Sequence, residues 1–160
     1  MIMSAETARK NEAQDTAAPA SGTDPEGGVL RLRAEGDPAT HLPTVLVVDD
    51  DIFVCRAVAC ILREARQVQV YAARNGDEAL RLAPEVLPDL VILDIKMPGT
   101  PAPEVCRALR RMPELQGTRI CVLTGIMADP QVMQELRPHI NDVMTKPPDP
   151  RALVALVDAR

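Results

Sequence analysis

From Thr44 onward the chain alternates short aliphatic runs with amphipathic stretches, and this alternation limits the folds that it can adopt. The aliphatic runs are TVLVV (44–48), QVQVY (67–71), LVIL (90–93), ICVLT (120–124) and the interrupted segment IND-VMT (140–145). An amphipathic stretch with helical spacing follows each of them. Five strand–helix units in strict alternation predict an α/β fold, in which a doubly wound parallel sheet carries helices on both faces.

The composition agrees with such a sheet. Hydrophobic residues make up 46% of the chain, yet it has one Phe (Phe53), one Tyr (Tyr71) and no Trp. The core must therefore be built from aliphatic side chains, which is the usual character of strands in a buried parallel sheet.

Residues 1–43 have a different composition from the rest of the chain. They are rich in Ala, Gly, Thr, acidic residues and Pro, without sustained periodicity, which predicts a disordered or flexible N-terminal tail. A single folded domain is expected over residues 44–160. The one apolar cluster in the tail, Val29–Leu32, is interpreted as incidental, with a short strand or a docking segment as the alternatives.

The charge pattern bears on partners and location. The formal net charge is −5 and the basic residues form no dense cluster, so direct contact with nucleic acid is not expected. No run approaches the ~18 apolar residues of a membrane span, and the N-terminus lacks the apolar segment of a secretory signal. We therefore expect a cytoplasmic protein without membrane insertion.

The four cysteines are Cys55, Cys60, Cys106 and Cys121. They include no CxxC pair and have no His at ligand spacing, so a zinc site is not indicated. Buried, reduced thiols are the prediction for all four.

Polar residues stand where four of the predicted strands end. The first strand runs into Asp49-Asp50-Asp51, the third into Asp94, the fourth into Thr124 and the fifth into Lys146. In an open parallel sheet, ligands bind outside the carboxyl ends of the strands, where the strand order reverses. We therefore expect these side chains to form one site.

The residue types in this set indicate phosphoryl chemistry. Clustered carboxylates raise each other's pKa unless a cation intervenes, so Asp49, Asp50 and Asp94 together favour a hard divalent ion such as Mg²⁺. Mg²⁺ uses one or two protein carboxylates, which leaves a carboxylate as a nucleophile, and Asp94 is the candidate. The Lys146 ammonium and the Thr124 hydroxyl can offset charge on the transferred oxygens.

Six segments carry a resemblance to a known family, the response-regulator receiver domains of the CheY-like type. They are LVVDDD (46–51), LDIKMPG (93–99), VLTG (122–125) and TKP (145–147), with NGDEAL (75–80) and EVCRALR (104–110) outside the site. The resemblance covers the whole region 44–160. It implies a flavodoxin-like, five-stranded sheet of order 2-1-3-4-5.

The resemblance also implies roles for individual residues. Asp94 would be the phosphoacceptor and, with Asp50, a direct ligand of Mg²⁺, while Asp49 would act through water. The main-chain carbonyl of Lys96 would complete the protein ligands. The side chains of Lys96 and Ile126 would border the phosphoryl group and slow its hydrolysis.

The activated state has further requirements in this family. Thr124 and Lys146 would hold phosphoryl oxygens, and the Lys146-Pro147 peptide is implied to be cis. Val143 stands at the switch position, where the family usually has Tyr or Phe, so no ring is present to move.

The implied function is that of a single-domain response regulator in a two-component phosphorelay. Asp94 would accept a phosphoryl group from a sensor histidine kinase or a histidine phosphotransfer protein, and the chain would signal to a downstream protein by contacts. It is not predicted to be an enzyme, apart from its own phosphoryl transfer and autodephosphorylation. The sequence leaves open whether it forms a homodimer.

Phe53 lies at the start of the first predicted helix, beside the acidic cluster. It points about 100° away from the apolar stripe of that helix, so we expect it to be exposed and to help dock the phosphodonor protein. Packing of the ring under a neighbouring loop is the alternative.

Two other functions compete with this one. A degenerate receiver that serves as a phosphorylation-independent scaffold is favoured by Val143, whereas the complete set of site residues favours a working receiver. A phosphohydrolase of the haloacid dehalogenase type also uses an Asp at a strand end. That family has DxD where this chain has Lys96 in the second position, and no cap-sized insertion is present.

Overall fold

A computed structural model describes residues 30–32, 42–125 and 129–159. The strands are β1 (Leu30–Leu32), β2 (Thr44–Val48), β3 (Gln69–Ala73), β4 (Leu90–Asp94), β5 (Arg119–Thr124) and β6 (Asp142–Thr145). The helices are α1 (Ile52–Ala65), α2 (Gly76–Val86), α3 (Ala102–Arg111), α4 (Pro130–Leu136) and α5 (Pro150–Asp158), with a 3₁₀ turn at Pro113–Leu115. Most of the predicted tail, and Ile126, lie outside the described residues.

The strands form one sheet in the order β1-β3-β2-β4-β5-β6. Strands β2 to β6 are parallel, and counted from β2 they follow the order 2-1-3-4-5, which confirms the predicted topology. The sheet has one strand more than predicted. The apolar cluster interpreted as incidental contains β1, which pairs antiparallel with β3.

The second predicted strand is displaced by two residues, the largest shift at both ends among the predicted strands. The second strand was placed at 67–71 because β-branched and aromatic residues favour strands, but β3 spans Gln69–Ala73. Its register is determined by β2, with Val45 opposite Val70 and Val48 opposite Ala73. The pairing with β2 thus recruits two alanines that have little strand propensity of their own.

The sheet has a separate aliphatic core on each face, because successive strand residues point to opposite sides. Val45 and Val47 pack against α1 and α5. Leu46 and Val48 pack against α2, α3 and α4. Both faces of the central strands are therefore covered by helices, and every residue of β2 and β4 is buried.

The cysteines are free thiols, as predicted, but they are not all buried. Burial raises the pKa of Cys55 to about 11 and the pKa values of Cys106 and Cys121 to about 12. Cys60 is exposed, since it lies on the outward face of α1. The prediction of burial is therefore wrong for Cys60.

Helix α2 begins in close contact with the loop that follows β4. Asn75 caps the helix, and its side-chain oxygen accepts a hydrogen bond from the Glu78 amide at 2.8 Å. Gly76 is the first helical residue and is buried. A Cβ atom at Gly76 would overlap the carbonyl oxygen of Thr100 and the side chain of Val105.

This contact predicts the effect of Gly76→Ala on stability. Alanine is the better helix former by ~1 kcal/mol, but overlap with a backbone oxygen requires the loop to shift. We expect the free energy of unfolding to fall by about 1 to 3 kcal/mol, measured by urea denaturation. Gly117→Ala is the control, because a Cβ there meets nothing within 4 Å. Equal stability of the two variants would contradict the expectation.

Candidate functional site

The turn between β2 and α1 positions the first two acidic residues. The Asp49 amide donates to the Ala73 carbonyl at 3.0 Å, and the Asp51 amide donates to Asp49 Oδ1 at 3.0 Å. Asp51 itself caps α1, because its Oδ1 accepts from the Phe53 amide at 2.8 Å. Asp51 is therefore occupied with the helix end, and the second oxygen of Asp49 is left for the site.

Three carboxylates meet at the carboxyl end of the sheet. Asp49, Asp50 and Asp94 each have a side-chain oxygen within 4.8 Å of those of the other two. Asp49 is completely buried and Asp94 is 6% exposed, whereas Asp50 is exposed. The prediction that these strand ends converge is confirmed for the three carboxylates.

Lys146 brings a positive charge to the buried pair. Its Nζ lies 2.6 Å from Asp49 Oδ2 and 3.1 Å from Asp94 Oδ2. Its amide donates to the Thr124 carbonyl at 2.8 Å, so the lysine follows directly from the β5–β6 pairing. The Lys146-Pro147 peptide is cis, as predicted.

The electrostatics of the site follow from burial and pairing. Burial raises the pKa of Asp49, although its hydrogen bonds with Lys146 and the Asp51 amide act in the opposite direction. Burial alone would lower the pKa of Lys146, but its hydrogen bonds to Asp49 and Asp94 raise it above the ordinary value. Lys146 is therefore an ammonium ion. Three carboxylates against one ammonium leave an excess of negative charge, and oxygen donors of this kind suit Mg²⁺.

Thr124 and Lys96 lie on the other side of the site. Thr124 is 7% exposed, and its hydroxyl donates to the Gly125 carbonyl at 3.0 Å. The Lys96 side chain is exposed and, with Thr124, lines a cleft of about 390 Å³ between α3 and α4. The role of the Lys96 carbonyl as a metal ligand stays a prediction.

The loop after β4 is held by a residue that the sequence analysis did not single out. The Thr100 hydroxyl donates to Asp77 Oδ1 at 2.5 Å. Gly99 has φ +81°, and a Cβ there would meet the same Asp77 carboxylate. Asp77 directly follows the capping residue Asn75 and Gly76 at the start of α2. Its place in the NGDEAL segment (75–80), which is part of the resemblance to receiver domains, was the signal in the sequence that pointed to it.

Val143 and Phe53 are both exposed. Val143 lies in β6, opposite Val122 of β5, and is 49% exposed. Phe53 is 73% exposed in the first turn of α1, which confirms its predicted exposure. Its docking role stays a prediction.

The chain belongs to the response regulator receiver domain family, whose model matches residues 45–158. Receiver domains are signalling modules of two-component systems, and phosphorylation with Mg²⁺ is a general feature of the family. In fold, the chain is similar to chemotaxis response regulator CheY4 of Vibrio cholerae, with a TM-score of 0.66 and 28% identity over 74% of this chain and 98% of that one. It is also similar to a response regulator receiver protein from Pseudomonas putida, with a TM-score of 0.67 and 25% identity over 76% and 99%.

Curated relatives include two transcriptional regulatory proteins. ResD of Bacillus subtilis is 36% identical over 120 residues, which are 75% of this chain and 48% of that protein. The phosphate regulon protein PhoB of Rhizobium meliloti is 36% identical over 121 residues, or 74% and 52%. The chain thus spans about half the length of the curated relatives it matches.

None of the helices in the described ranges has the length and apolar character to cross a membrane.

The contact of Lys146 with Asp49 and Asp94 predicts how Lys146→Met changes the stability of the fold in the absence of divalent ions. The substitution keeps the aliphatic stem but leaves the buried Asp49 carboxylate without its cation. We expect the unfolding free energy at neutral pH to fall by about 1 to 3 kcal/mol.

Lys96→Met is the matched control, because it removes the same charge from an exposed side chain close to Asp94. Its effect should stay within about 0.5 kcal/mol. Chemical denaturation of both variants in a chelating buffer makes the comparison. A Lys146→Met variant as stable as Lys96→Met would show that the ammonium does not support the buried carboxylate.

Proposed function

We propose that Asp94 accepts a phosphoryl group from a phosphohistidine of a histidine kinase or a histidine phosphotransfer protein. The observation that carries this proposal is the Lys146 ammonium, 3.1 Å from Asp94 Oδ2 and 2.6 Å from Asp49 Oδ2. A buried nucleophile beside a fixed cation suits phosphoryl transfer, which asks the protein mainly for positioning and charge stabilisation. The family membership of the chain supports the same conclusion.

In the proposed step, an oxygen of the Asp94 carboxylate attacks the phosphorus atom in line with the nitrogen of the donor imidazole. The oxygen–phosphorus bond forms as the phosphorus–nitrogen bond breaks. The imidazole leaves with the bonding electron pair, and the product at Asp94 is an acyl phosphate. As negative charge moves from the carboxylate to the phosphoryl oxygens, Lys146 can follow it with a small change of its side-chain torsions.

Thr124 is proposed to supply a second donor to the phosphoryl group. Its hydroxyl now donates to the neighbouring Gly125 carbonyl at 3.0 Å, a local bond that rotation about one torsion exchanges for a phosphoryl oxygen. The Lys146 amide donates to the Thr124 carbonyl. A shift of the main chain at one of these residues is therefore expected to move the other.

Mg²⁺ is the proposed cofactor, held by Asp50, Asp94, the Lys96 carbonyl and, through water, Asp49. When bound, it supplies positive charge that offsets the charge of the phosphoryl oxygens. The chemistry of the donors supports this choice, since carboxylate and carbonyl oxygens are what Mg²⁺ prefers. Asp50, as the exposed member of the cluster, faces the approaching donor.

Signalling is proposed to proceed through protein contacts in the cytoplasm. The net charge of −5 supports a protein partner over direct contact with nucleic acid. Val143 offers an exposed aliphatic side chain in β6 at the position where the family usually has Tyr or Phe. Output is therefore proposed to depend on the surface around β6, without an aromatic rotamer change.

The principal test is Asp94→Asn. The amide cannot form the acyl phosphate, so incubation with Mg²⁺ and acetyl phosphate should give no mass increase, while the native chain gains one phosphoryl group. Circular dichroism melts should differ little, because the loop after β4 keeps its packing.

Asp51→Asn is the control, since Asn caps a helix as well as Asp and Asp51 serves α1. This variant should still be phosphorylated. Phosphorylation of the Asp94→Asn variant would show that another residue is the acceptor. If no donor phosphorylates the native chain, the scaffold function is favoured instead.

A second test concerns docking of the phosphodonor protein. Phe53→Ala removes a ring that is 73% exposed beside the acidic cluster, so transfer from the protein donor should slow by about tenfold or more. Transfer from acetyl phosphate should not change, because that donor has no docking surface. Leu87→Ala is the control, another exposed apolar side chain at 52%. If Phe53→Ala slowed phosphoryl transfer equally from the protein donor and from acetyl phosphate, the docking role would be contradicted.

A further inference from the structure

The loop between β4 and α3, residues 95–101, has few hydrogen bonds to hold it. At one end the Ile95 amide donates to a carbonyl of β5 at 3.2 Å, and at the other end the Pro101 carbonyl accepts from two amides of α3. Between these points, the one hydrogen bond that the loop makes within the described chain is donated by the Thr100 hydroxyl. Pro98 has no N–H to contribute. The conformation of loop 95–101 therefore depends on a small number of contacts.

The acceptor of the Thr100 bond belongs to a different element. The hydroxyl donates to Asp77 Oδ1 at 2.5 Å, and Asp77 lies in the first turn of α2. This turn has hydrogen bonds of its own, because Asn75 caps the helix and Glu78 Oε2 accepts from the Arg74 amide at 2.7 Å. A carboxylate at this end of a helix is also favoured by the helix dipole. The loop is therefore attached to a helix start that is held independently of it.

The second oxygen of Asp77 also faces the loop. Gly99 has φ +81°, and a Cβ atom placed there would lie 2.5 Å from Asp77 Oδ2. On the helix side, a Cβ at Gly76 would overlap the Thr100 carbonyl. The two glycines thus allow a closer approach of the segments than residues with a side chain would. Because the Thr100 bond requires this approach, it selects one conformation of the loop.

The same loop carries part of the proposed phosphorylation site. Asp94 directly precedes it, and it contains Lys96, whose main-chain carbonyl is a proposed ligand of Mg²⁺. The neighbours of Lys96 in the chain, Ile95 and Met97, pack partly against the core between the sheet and α2 and α3. The direction of the Lys96 carbonyl is set by the main-chain torsions around it. It therefore depends on how the rest of the loop is held.

Asp77 borders the carboxylate cluster without belonging to it. Asp50, Asp77 and Pro98 line one surface groove of about 770 Å³. In the described part of the chain, the carboxylates close enough together to share a metal ion are those of Asp49, Asp50 and Asp94. The carboxylate of Asp77 is engaged with the loop instead. An influence of Asp77 on the site is therefore expected to pass through the loop.

We propose that Asp77 is a positioning residue for Mg²⁺ binding, and that it acts by holding loop 95–101 through the hydroxyl of Thr100. This inference rests on the proposed function, in which the Lys96 carbonyl is a ligand of the ion. With the hydrogen bond in place, one conformation of the loop predominates. Without it, the loop samples others, and the apparent affinity for Mg²⁺ falls in proportion to the fraction of molecules that keep the competent conformation.

Thr100→Val tests the proposal on the full chain, because it removes the hydroxyl and keeps the size of the side chain and the charge of the domain. Calorimetric titration with Mg²⁺ alone, without a phosphodonor, should show binding that is weaker by about threefold to tenfold. Thr100→Ser keeps the hydroxyl and should bind Mg²⁺ as the native chain does. Asp77→Ala should weaken binding at least as much as Thr100→Val, and the double variant should bind no more weakly than Asp77→Ala.

Thr118→Val is the matched control. The buried Thr118 hydroxyl donates to the Pro88 carbonyl at 2.7 Å, at the amino-terminal edge of the sheet and far from the site. The control should therefore lower the Tm and leave the Mg²⁺ affinity unchanged. If it weakened Mg²⁺ binding as much as Thr100→Val does, the loss would reflect general destabilisation and the proposal would be overturned.

Two further results would also overturn the proposal. Native affinity in Thr100→Val would show that any loss in Asp77→Ala comes from its charge, and additive losses in the double variant would show the same. Phosphorylation of the native chain by acetyl phosphate separates this inference from the proposed function. A native chain that binds Mg²⁺ and is phosphorylated, with Thr100→Val binding equally well, removes the role of Asp77 alone. A native chain that neither binds Mg²⁺ nor accepts phosphate removes both.

Discussion

The contact of one ammonium with two buried carboxylates is the interaction on which the site depends. Lys146 and Asp49 are separated by 97 positions in sequence and meet because β2 and the chain after β6 finish at the same edge of the sheet. A parallel order of strands is what brings these ends together. Without the ammonium, Asp49 and Asp94 would be two adjacent buried carboxylates with no side-chain cation to offset their repulsion.

Much of the fold and site could be predicted, because both rest on patterns of burial. Aliphatic runs mark strands that are covered on both faces, and the polar residue at the end of each run marks the edge where the site forms. The prediction failed at residues whose own sequence gives little preference for a strand. Ala72 and Ala73 enter β3 through pairing with β2, and Leu30–Leu32 becomes a strand because β3 offers an open edge. Such choices depend on tertiary neighbours, which local sequence does not show.

The loop after β4 illustrates a second kind of information that sequence reasoning lacked. Asn75-Gly76 has the composition of a turn, yet Asn75 caps α2 and Gly76 lies inside it. The glycine is there because the Thr100 carbonyl passes too close for a Cβ. Asp77, one position on, then holds the Thr100 hydroxyl. This contact ties the loop that leaves Asp94 to the start of a different helix, a relation between distant segments that no single motif contains.

Lys146 and Arg110 are partly buried cations of the domain, and their hydrogen-bond acceptors differ. Lys146 is paired with two carboxylates. Arg110 has neutral acceptors instead, with the His139 and Thr118 carbonyls at 2.9 and 2.6 Å, and burial lowers its pKa. Both arginine and lysine therefore obtain acceptors when they leave water, by different means.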